Sequence, residues 1–392
     1  MDLTFTEREN AFRAECRAWL ERHVPKESLG SGDTREGFAR HLEWERELFD
    51  AGWAAVSWPK EYGGREASLF EWLIFEEEYY RAGAPNRVTQ NGIFLLAPTL
   101  FEFGTEEQKA RILRPMARGD VTWGQGWSEP NAGSDLASLR STARRVEGGW
   151  LLSGQKTWCT RGAFCDMAYG LFRTDPAQKR HHGLTYFMFP LHGEGVTVRG
   201  VDRLDGDEGF AELFLDELFV PDRDVIGEVN QGWYVAMATT SSERGLTLRS
   251  PGRFMATASR LVDLYGRYRA SAEPALRDAV IDAWIDAEAY RWYTFQTVTH
   301  MVDGQDVGAS SSLNKVFWSE MDVRTHETAL ALIGDRLELD IDHDAPESAG
   351  DAVDEGAWMR GFEFALAGPI YAGTNEIQRN IIAERVLGLP RK

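Results

Sequence analysis

The sequence predicts a mainly α-helical protein with a central β domain. Apolar residues recur at helical spacing up to about residue 120 and again from about residue 233, whereas the stretch between them favours short strands. We therefore expect a helical part at residues 1–120, a β part at 121–232 and a second helical part at 233–392. A chain of 392 residues is long enough to bury a core in each part.

Capping boxes mark helix starts in the first part. Thr6 and Glu9 form one such pair before an apolar helical face, and Thr105 and Gln108 form another. A third helix, "ASLFEWLIFEEEYYRAG", is predicted to end at Gly83, because glycine readily takes the left-handed conformation that ends helices.

The middle part favours strands. "GLTYFMF", "VTVRGV" and "AELFLDELFV" have strand character, and Leu213, Leu215 and Phe219 are predicted to lie on one half-buried face with alternating neighbours. "RRVEGGWLLSG" predicts a hairpin with Gly148 and Gly149 at its turn. A β domain is therefore expected between the two helical parts.

Helical patterns return in the last part, interrupted by an acidic stretch. Asp335–Gly356 is dense in Asp and Glu and predicts a solvated loop. Asp340, Asp342 and Asp344 resemble the start of a calcium loop, but Ala345 stands where such a loop requires glycine. We therefore predict no metal site.

Charge and composition restrict the function. A formal net charge of −19 argues against a nucleic-acid partner, although a local basic or amide-lined site could still bind an anionic small ligand. Cys16, Cys159 and Cys165 form an odd set without a CxxC pair, which favours a reducing cytosol. With no signal-peptide pattern and no apolar run near the roughly 18 residues of a spanning helix, we expect a cytoplasmic protein without a membrane segment.

The stretch "GQGWSEPNAGSDLASLRS" carries a candidate binding loop. Gly124 and Gly126 begin a GxGxxG pattern, but Glu129 occupies the third glycine position, so a dinucleotide-binding Rossmann turn is excluded. Gly133 is expected to allow a tight turn at which Ser134 presents a hydroxyl and backbone amides. Such a loop suits a polar or anionic ligand edge. A plain surface turn remains an alternative at this point.

The stretch "SGQKTWCTRGAFCDMAYG" carries a candidate ring-binding pair. Trp158 and Thr160 lie two residues apart on a predicted strand, so both should face the same side. A flat indole beside a hydroxyl can stack on a ring system and hydrogen-bond to its edge. The alternative is a buried strand tryptophan with a threonine nearby.

Three motifs in order resemble the acyl-CoA dehydrogenase family: "WSEPNAGSD", then "GQKTWCT", then "YAGTNEIQRNIIAERVLGLP" near the C-terminal end. Lesser matches such as "WPKEYGG", "FGTEEQKARILRPMARGD" and "LFVPDRDVIGEVNQGW" extend the resemblance over nearly the whole chain. The resemblance implies an N-terminal helical domain, a β-barrel-like middle domain, a C-terminal four-helix bundle and FAD as the cofactor. It further implies α,β-dehydrogenation of an acyl-CoA thioester, with hydride passing to flavin N5.

The resemblance also assigns site residues, position by position. Those expected along FAD are Gln125, Trp127, Ser128, Gly133, Ser134, Trp158, Thr160, Thr374 and Glu376. Those expected at the substrate are Ser134, near the thioester arm of CoA, with Arg244, Tyr371 and Ala372.

The general base departs from the commonest family pattern. Many members carry a carboxylate directly after the tyrosine of the last motif, but here Tyr371 is followed by Ala372. Glu376 lies a helical turn further on and should point elsewhere. Some members place the base on the first helix after the β domain, in a Glu-Arg pair, which corresponds here to Glu243 and Arg244. The resemblance therefore implies Glu243 as the base.

Ala372 is still expected to serve the reaction. In the family a backbone N–H at this position helps to hold the thioester oxygen, and any residue other than proline keeps that donor. Loss of one such donor typically lowers the rate about a hundredfold or more.

Two family segments that bind FAD from a neighbouring subunit are missing. The region of the Arg-x-x-Phe-Gly segment reads "RYRASAEPALRD", and the region of the Gln-x-x-Gly-Gly segment has Ala331, Gly334 and Asp335. Asp335 would place negative charge near a diphosphate, which is unfavourable. Either the homo-oligomeric site is divergent, or a homologous but different chain supplies the missing half, as in heteromeric members that handle steroid side chains.

Other chemistries share this fold, so acyl-CoA oxidases and flavin-dependent monooxygenases stay open as alternatives. The family also implies an electron-transfer flavoprotein as electron acceptor. A non-catalytic DNA-binding relative should carry a basic surface, which the net charge of −19 disfavours.

Overall fold

The computed structural model describes residues 4–244, 250–305, 308–338 and 351–390, without the side chains of 240–244, 338 and 351–356. The chain forms two compact units. The helical unit comprises Met1–Gly30, Ala67–Pro85 and Arg244–Lys392. The β unit comprises Ser31–Glu66 and Asn86–Glu243.

The α-helices dominate both ends of the chain. In order they are α1 Glu7–His23, α2 Arg35–Asp50, α3 Leu69–Arg81, α4 Ala97–Phe103, α5 Glu106–Arg118, α6 Gly232–Arg244, α7 Pro251–Tyr268, α8 Pro274–Val302, α9 Ser311–Ile333, α10 Asp351–Ala365 and α11 Asn375–Ile381. The strands lie between α5 and α6: β1 Trp123–Gln125, β2 Thr142–Val146, β3 Gly149–Lys156, β4 Met167–Arg173, β5 Leu184–Pro190, β6 Val196–Val201, β7 Phe210–Pro221 and β8 Val225–Ile226. The predicted mainly α fold with a central β domain is confirmed.

Local capping chemistry starts the helices as predicted. Thr6 accepts from the N–H of Glu9 while the Glu9 side chain accepts from the N–H of Thr6, so both groups at the start of α1 are satisfied. Thr105 and Gln108 do the same at the start of α5. Gly83 has a φ of +67°, which is the conformation expected after α3.

One eight-stranded sheet forms the core of the β unit, in the order β6-β7-β3-β2-β4-β5-β8, with β1 parallel to β4. Apolar side chains of β3, β4, β5 and β7 pack into one buried cluster against its face. The sheet therefore fixes the ends of β1 and β3, from which the candidate binding loops leave.

In the helical unit α3 packs on α1 and α7, while α7 and α8 pack on α9, which also contacts α10 and α11. Two clusters of buried apolar side chains fill this unit, one of which includes Trp318 and Tyr290 beside Tyr371. Among the helices of the described ranges, none is long and apolar enough to cross a membrane.

The predicted common face of β7 is wrong at Phe219. Leu213 and Leu215 are buried, but Phe219 is exposed. Between the pairs Leu152–Leu218 and Gly154–Leu215, β7 has one more residue than β3, and Glu217 there takes a φ of +52°. This bulge shifts the alternation, so the residues beyond it face the other way.

Three local predictions need smaller corrections. The hairpin turn is formed by Glu147 and Gly148, because Gly149 already pairs with Val146. The predicted acidic loop is shorter than expected, because α10 begins at Asp351. The calcium-like residues of that loop, 340–345, lie outside the described residues.

Candidate active site

The loop after β1 is closed by its own backbone. Glu129 and Ala132 exchange two N–H to C=O hydrogen bonds of 3.0 Å, which turns the chain at Pro130 and Asn131. The carbonyl of Ser128 accepts from the N–H of Thr157 at 2.9 Å, so this loop is tied to the segment after β3.

A buried ion pair, absent from our sequence prediction, holds the same two segments together. Lys156, which is 0% exposed, donates through Nζ to Glu129 Oε1 at 2.9 Å and to the carbonyl of Leu171 at 2.8 Å. Glu129 also accepts from the backbone N–H groups of Arg140 at 2.6 Å and Ser141 at 2.9 Å. One carboxylate thus fixes both ends of the loop.

The environment of the pair favours the charged form of Glu129 but disfavours the charged form of Lys156. Burial raises the pKa of Glu129, but Lys156, Ser141 and Arg140 outweigh it, so its pKa lies below the ordinary value. Burial lowers the pKa of Lys156 despite the carboxylate beside it. Removing one member therefore leaves an uncompensated buried charge.

Trp158 does not lie on a strand, because β3 ends at Lys156. It takes a φ of +60° and its side chain is 59% exposed, with its ring edge-on to Phe210 at 5.7 Å. The next residue, Cys159, is buried and exchanges backbone hydrogen bonds with Ala211 at 3.0 and 2.9 Å. The indole is therefore presented to solvent by a backbone that is itself held firmly.

Charged residues outside the predicted site anchor the far end of this segment. The N–H of Arg161 donates to the carbonyl of Gly209 at 3.0 Å, and its guanidinium contacts Asp33 at 2.6 Å. Arg203 approaches the other oxygen of Asp33 at 2.5 Å. Asn91 donates to the carbonyl of Thr160 at 3.4 Å.

The side chains of Gln125 and Trp127 differ in whether a ligand could bond to them. The Nε2 of Gln125 is buried and has no hydrogen-bond partner among the described residues. Trp127 is buried, and its indole N–H donates to the hydroxyl of Tyr186 at 3.1 Å. A ligand could therefore meet the side chain of Gln125 but only the backbone of Trp127.

Gly133 lies in a bend directly before the turn at Ser134 and Asp135, and its φ is not positive. A Cβ added to Gly133 would meet no atom within 4 Å, and both Gly133 and Ser134 are exposed. By contrast, a Cβ at Gly124 would lie 2.6 Å from the sulfur of Cys159, so packing within the chain requires glycine there.

The C-terminal motif is held by backbone conformation and side-chain amides. Ala372 and Gly373 have φ values of +55° and +80°. Gln378 is buried and donates through Nε2 to the carbonyls of Ala372 at 3.1 Å and Gly373 at 3.3 Å. Within the described residues, no acceptor contacts the N–H of Ala372.

Thr374 and Glu376 stand at the start of α11. Thr374 is its N-cap and accepts from the N–H of Ile377 at 3.3 Å. Glu376 is exposed, and bonds from its own backbone N–H and from Thr374 hold its pKa below the ordinary value. Asn375 is buried and accepts from Lys315 Nζ at 2.8 Å, which secures the turn.

The remaining predicted residues lie in α6 and at Tyr371. Glu243 and Arg244 form the last turn of α6, but their side chains lie outside the described part. Tyr371 is half-buried and its ring stacks near Trp318 at 6.0 Å between centroids. The predicted cofactor residues thus fall into two sets, one in each unit.

Comparison with known families identifies the class of protein. The model described as "Acyl-CoA dehydrogenase, N-terminal domain" matches residues 6–120, the middle-domain model matches 124–218 and the C-terminal-domain model matches 230–387. The chain belongs to the acyl-CoA dehydrogenase family. The family and enzyme class predicted from the sequence are therefore confirmed.

Individual relatives match over nearly the whole chain. It is 37% identical to "Acyl-CoA dehydrogenase IpdE1" of Mycolicibacterium smegmatis over 97% of this chain and 98% of the relative. It is 29% identical to "Acyl-CoA dehydrogenase FadE26" of Mycobacterium tuberculosis over 100% of this chain and 99% of that one.

Solved structures share the fold. The "Tcur3481-Tcur3483 steroid ACAD" superposes with a TM-score of 0.87 at 26% identity, over 100% of both chains. The "ChsE4-ChsE5 complex from Mycobacterium tuberculosis" superposes with a TM-score of 0.81 at 27% identity, over 100% of both chains. At 21% identity, "PigA with FAD and proline" shares only the fold, with a TM-score of 0.77.

Proposed function

We propose that this chain catalyses FAD-dependent α,β-dehydrogenation of an acyl-CoA, with Glu243 as the base. The observation that carries the proposal is Trp158, whose largely exposed indole is held in a left-handed backbone between paired neighbours. An exposed aromatic ring on a backbone fixed by hydrogen bonds is suited to stacking on a flat ring system. The uncompensated amide of Gln125 supplies a donor for a polar ring edge.

Each unit, taken by itself, carries residues that fit part of FAD. On the β unit, Gln125 offers an unpartnered amide, Ser128 a half-buried hydroxyl and Trp158 an exposed aromatic surface. On the helical unit, Thr374 and Glu376 lie at the start of α11. FAD supplies the ring that accepts the hydride from the β-carbon.

The chain's own groups handle the proton and the thioester. Glu243 removes the α-proton, for which a carboxylate on a helix after the β domain is chemically competent. The N–H of Ala372, which has no acceptor among the described residues, donates to the thioester oxygen and stabilises the charge that develops there. Ser134, Arg244 and Tyr371 are assigned to binding the substrate.

The test is reduction of the bound flavin. The FAD-loaded protein is titrated anaerobically with short, long, branched and steroid-derived acyl-CoAs while flavin absorbance is followed, and dye-coupled turnover is then measured. We expect bleaching and dye reduction with at least one class. Steroid-derived thioesters come first, because one structural neighbour is named a "steroid ACAD". No bleaching with any class would contradict the proposal.

An oxidase on the same fold is separated in the same experiment. In air, an oxidase releases peroxide at a rate close to its dye-coupled rate. A dehydrogenase releases little peroxide and passes electrons to an electron-transfer flavoprotein, which we propose as acceptor. The cytoplasmic location stays a prediction.

A second candidate is one subunit of a heteromeric dehydrogenase. Asp335 is exposed at the start of the 334–338 turn, where the resemblance expects a glycine-rich segment beside FAD. The names of two neighbours, Tcur3481-Tcur3483 and ChsE4-ChsE5, each join two different chains.

Flavin loading separates the two assemblies. The chain is purified alone and with a homologous candidate partner, and FAD per chain is measured from absorbance. A heteromer predicts substoichiometric FAD alone and full loading with the partner. One FAD per chain in the absence of a partner contradicts this candidate, and Asp335→Gly should then leave the loading unchanged.

A further inference from the structure

Five side chains of the helical unit form a closed ring that includes Tyr371. Phe254 stacks on Trp318 at 6.2 Å and Trp318 on Tyr371 at 6.0 Å, measured between ring centroids. Tyr371 in turn lies 6.3 Å from Phe364. The guanidinium of Arg253 closes the ring, 5.9 Å from the centroid of Phe364 and 5.4 Å from that of Phe254. We call these five side chains the Arg253 box.

The Arg253 box is buried on one side and open on the other. Phe254 and Trp318 are buried, whereas the other three members are partly buried. The side chain of Arg253 is 23% exposed, yet burial is the strongest influence on its pKa and lowers it. Asp322 and other neighbours outweigh burial, so the pKa of Arg253 lies above its ordinary value. The guanidinium is therefore enclosed by protein but still within reach of a small ligand group.

The guanidinium of Arg253 has more donors than partners. An arginine side chain carries five N–H groups in a planar fork. Nη2 donates to Oδ2 of Asp322 at 3.0 Å, and no other acceptor among the described residues bonds to this side chain. Nε and Nη1 therefore retain N–H groups for a ligand.

Arg291 of the same unit is different, although its side chain is similarly exposed at 21%. It contacts two carboxylates, those of Glu77 at 2.6 Å and Glu288 at 3.5 Å. The rings beside it, Trp292 and Phe295, include no residue assigned to the substrate. Spare donors and a place beside a substrate residue therefore distinguish the arginine of the box.

The positive charge of Arg253 is already balanced. Asp322, whose side chain is 3% exposed, forms an ion pair with it. A second carboxylate at this guanidinium would leave one negative charge uncompensated among buried rings, which is costly. A neutral carbonyl oxygen accepts an N–H without adding charge, and a hydrogen bond from an ionised donor is stronger than one from a neutral donor. The ligand group that fits is therefore a ketone oxygen.

We infer that the Arg253 box binds the part of the acyl group beyond the reacting carbons and that Arg253 donates there to a ketone oxygen. The inference rests on the proposed function, since it takes Tyr371 as a substrate residue. Ala372, assigned to the thioester oxygen, directly follows Tyr371, whereas Arg253 lies across the box from that tyrosine. The rings pack on the carbon skeleton of the acyl group. The substrate class is thus an oxo-acyl-CoA, in preference to a plain or a dicarboxylic acyl-CoA.

Equilibrium binding tests the inference independently of turnover. Octanoyl-CoA and cyclohexylpropanoyl-CoA, each with and without a ketone at successive remote carbons, are titrated calorimetrically into the FAD-loaded Glu243→Gln variant, together with octanedioyl-CoA. We expect at least one ketone to bind roughly tenfold or more tightly than its parent, and octanedioyl-CoA to bind no better than octanoyl-CoA. Arg253→Met should remove the preference. Arg253→Lys should retain only part of it, because the charge stays while the planar fork is lost.

A second variant separates recognition from stability. Arg253→Met leaves the carboxylate of Asp322 without its cation, whereas Arg253→Met/Asp322→Asn removes both charges and should fold more stably than the single variant. It should also lack the preference for a ketone. The matched control is Arg291→Met, at nearly equal exposure in the same unit, which should keep the preference.

The inference is overturned if no ketone binds better than its parent, or if Arg291→Met lowers the preference as much as Arg253→Met does. Tighter binding of octanedioyl-CoA than of every ketone would overturn the assignment of a neutral oxygen. Flavin reduction is measured separately in the protein that retains Glu243. Its absence with every acyl-CoA would refute the proposed function and leave the binding comparison standing.

Discussion

In the β unit the candidate segment around Ser128 is held by buried charge, whereas in the helical unit the segment around Ala372 is held by backbone conformation and side-chain amides. Glu129 and Lys156 meet at 2.9 Å in the protein interior. Ala372 instead takes a left-handed φ, with its carbonyl bonded to Gln378.

The two segments should therefore respond differently to substitution. A buried ion pair couples the binding loop to folding, because losing one partner strands the other. A segment built from backbone geometry presents its N–H groups whatever side chain it carries. Substitutions of the ion pair in the first segment should therefore lower stability strongly, whereas side-chain substitutions in the second should leave its N–H donors, and so turnover, largely unchanged.

The largest effect is expected at Glu243, which tests chemistry without stability. Glu243→Gln removes the proposed base while conserving size, so kcat should fall by several orders of magnitude, while FAD binding stays normal. Stopped-flow reduction of the flavin by an acyl-CoA measures the step directly. Glu228→Gln, at an exposed position before α6, serves as the charge control. Near-wild-type turnover of Glu243→Gln would remove Glu243 from the mechanism.

Next in size is Lys156→Met, which tests stability. The buried carboxylate of Glu129 would lose its cation, and the free energy of unfolding should fall by about 3–5 kcal/mol, measured by urea denaturation. Adding Glu129→Gln should recover part of this loss, because the amide oxygen can still accept a backbone N–H. Lys109→Met, which breaks the ion pair with the exposed Glu106, should cost under about 1 kcal/mol. A Lys156→Met loss no larger than that of the control would contradict the comparison.

The ion pair between Glu129 and Lys156 should also make the stability of the protein depend on pH in the acidic range. The folded-state pKa of Glu129 is lowered, so its contribution to stability is complete above the ordinary glutamate pKa of about 4.3 and is lost as the pH falls through the lower folded value. Glu129→Gln should remove that part of the acid dependence. Identical stability profiles below neutral pH in the variant and the wild type would speak against this.

A smaller effect is expected from Trp158→Ala, which separates cofactor binding from stability within the β unit. The side chain is 59% exposed, so its loss should leave the urea midpoint of the FAD-free protein unchanged. The Kd for FAD should rise roughly tenfold or more if the indole stacks on a ring, as aromatic stacking elsewhere does. Phe219→Ala, at another exposed aromatic residue of the same unit, should leave the Kd for FAD unaltered. Equal effects of the two substitutions would withdraw Trp158 from the cofactor site.

The smallest effect is expected from Ala372→Gly. Glycine keeps the N–H and relieves the left-handed conformation, whose cost for other residues is about 1 kcal/mol or more. Turnover should stay within about twofold and stability should rise by up to about 1 kcal/mol. Gly373→Ala, at a φ of +80°, should instead lower stability. A large loss of turnover in Ala372→Gly would show that the methyl group, rather than the backbone, serves the reaction.

Features that depend on residues close together in the sequence could be predicted, whereas features that depend on distant residues could not. The capping boxes at Thr6 and Thr105 join residues three positions apart, so their pattern is visible in the sequence. The fold class followed from hydrophobic periodicity and from motifs in family order. The exposure of Phe219 was missed, because it depends on a bulge that only the pairing of β7 with β3 reveals.

The sequence predicted which positions belong to the site but not the interactions that hold those positions together. Glu129 and Lys156 both stand inside the two recognised motifs, and their opposite charges were a usable signal that we did not combine. Asp33 gave no such signal, because its partner Arg203 lies 170 positions away. Trp158 was assigned to a strand because its neighbours have strand character, yet the next residue, Cys159, is held by backbone hydrogen bonds to Ala211 of the distant strand β7.

All three cysteines of the chain are buried. Burial raises the pKa of the Cys165 thiol to about 12 and that of Cys159 well above its usual range. Because the thiolate is the reactive form, these two sulfhydryls should resist alkylating probes at neutral pH. A single cysteine introduced on the surface, for example by Lys179→Cys, would then accept a fluorophore selectively without removal of the native thiols.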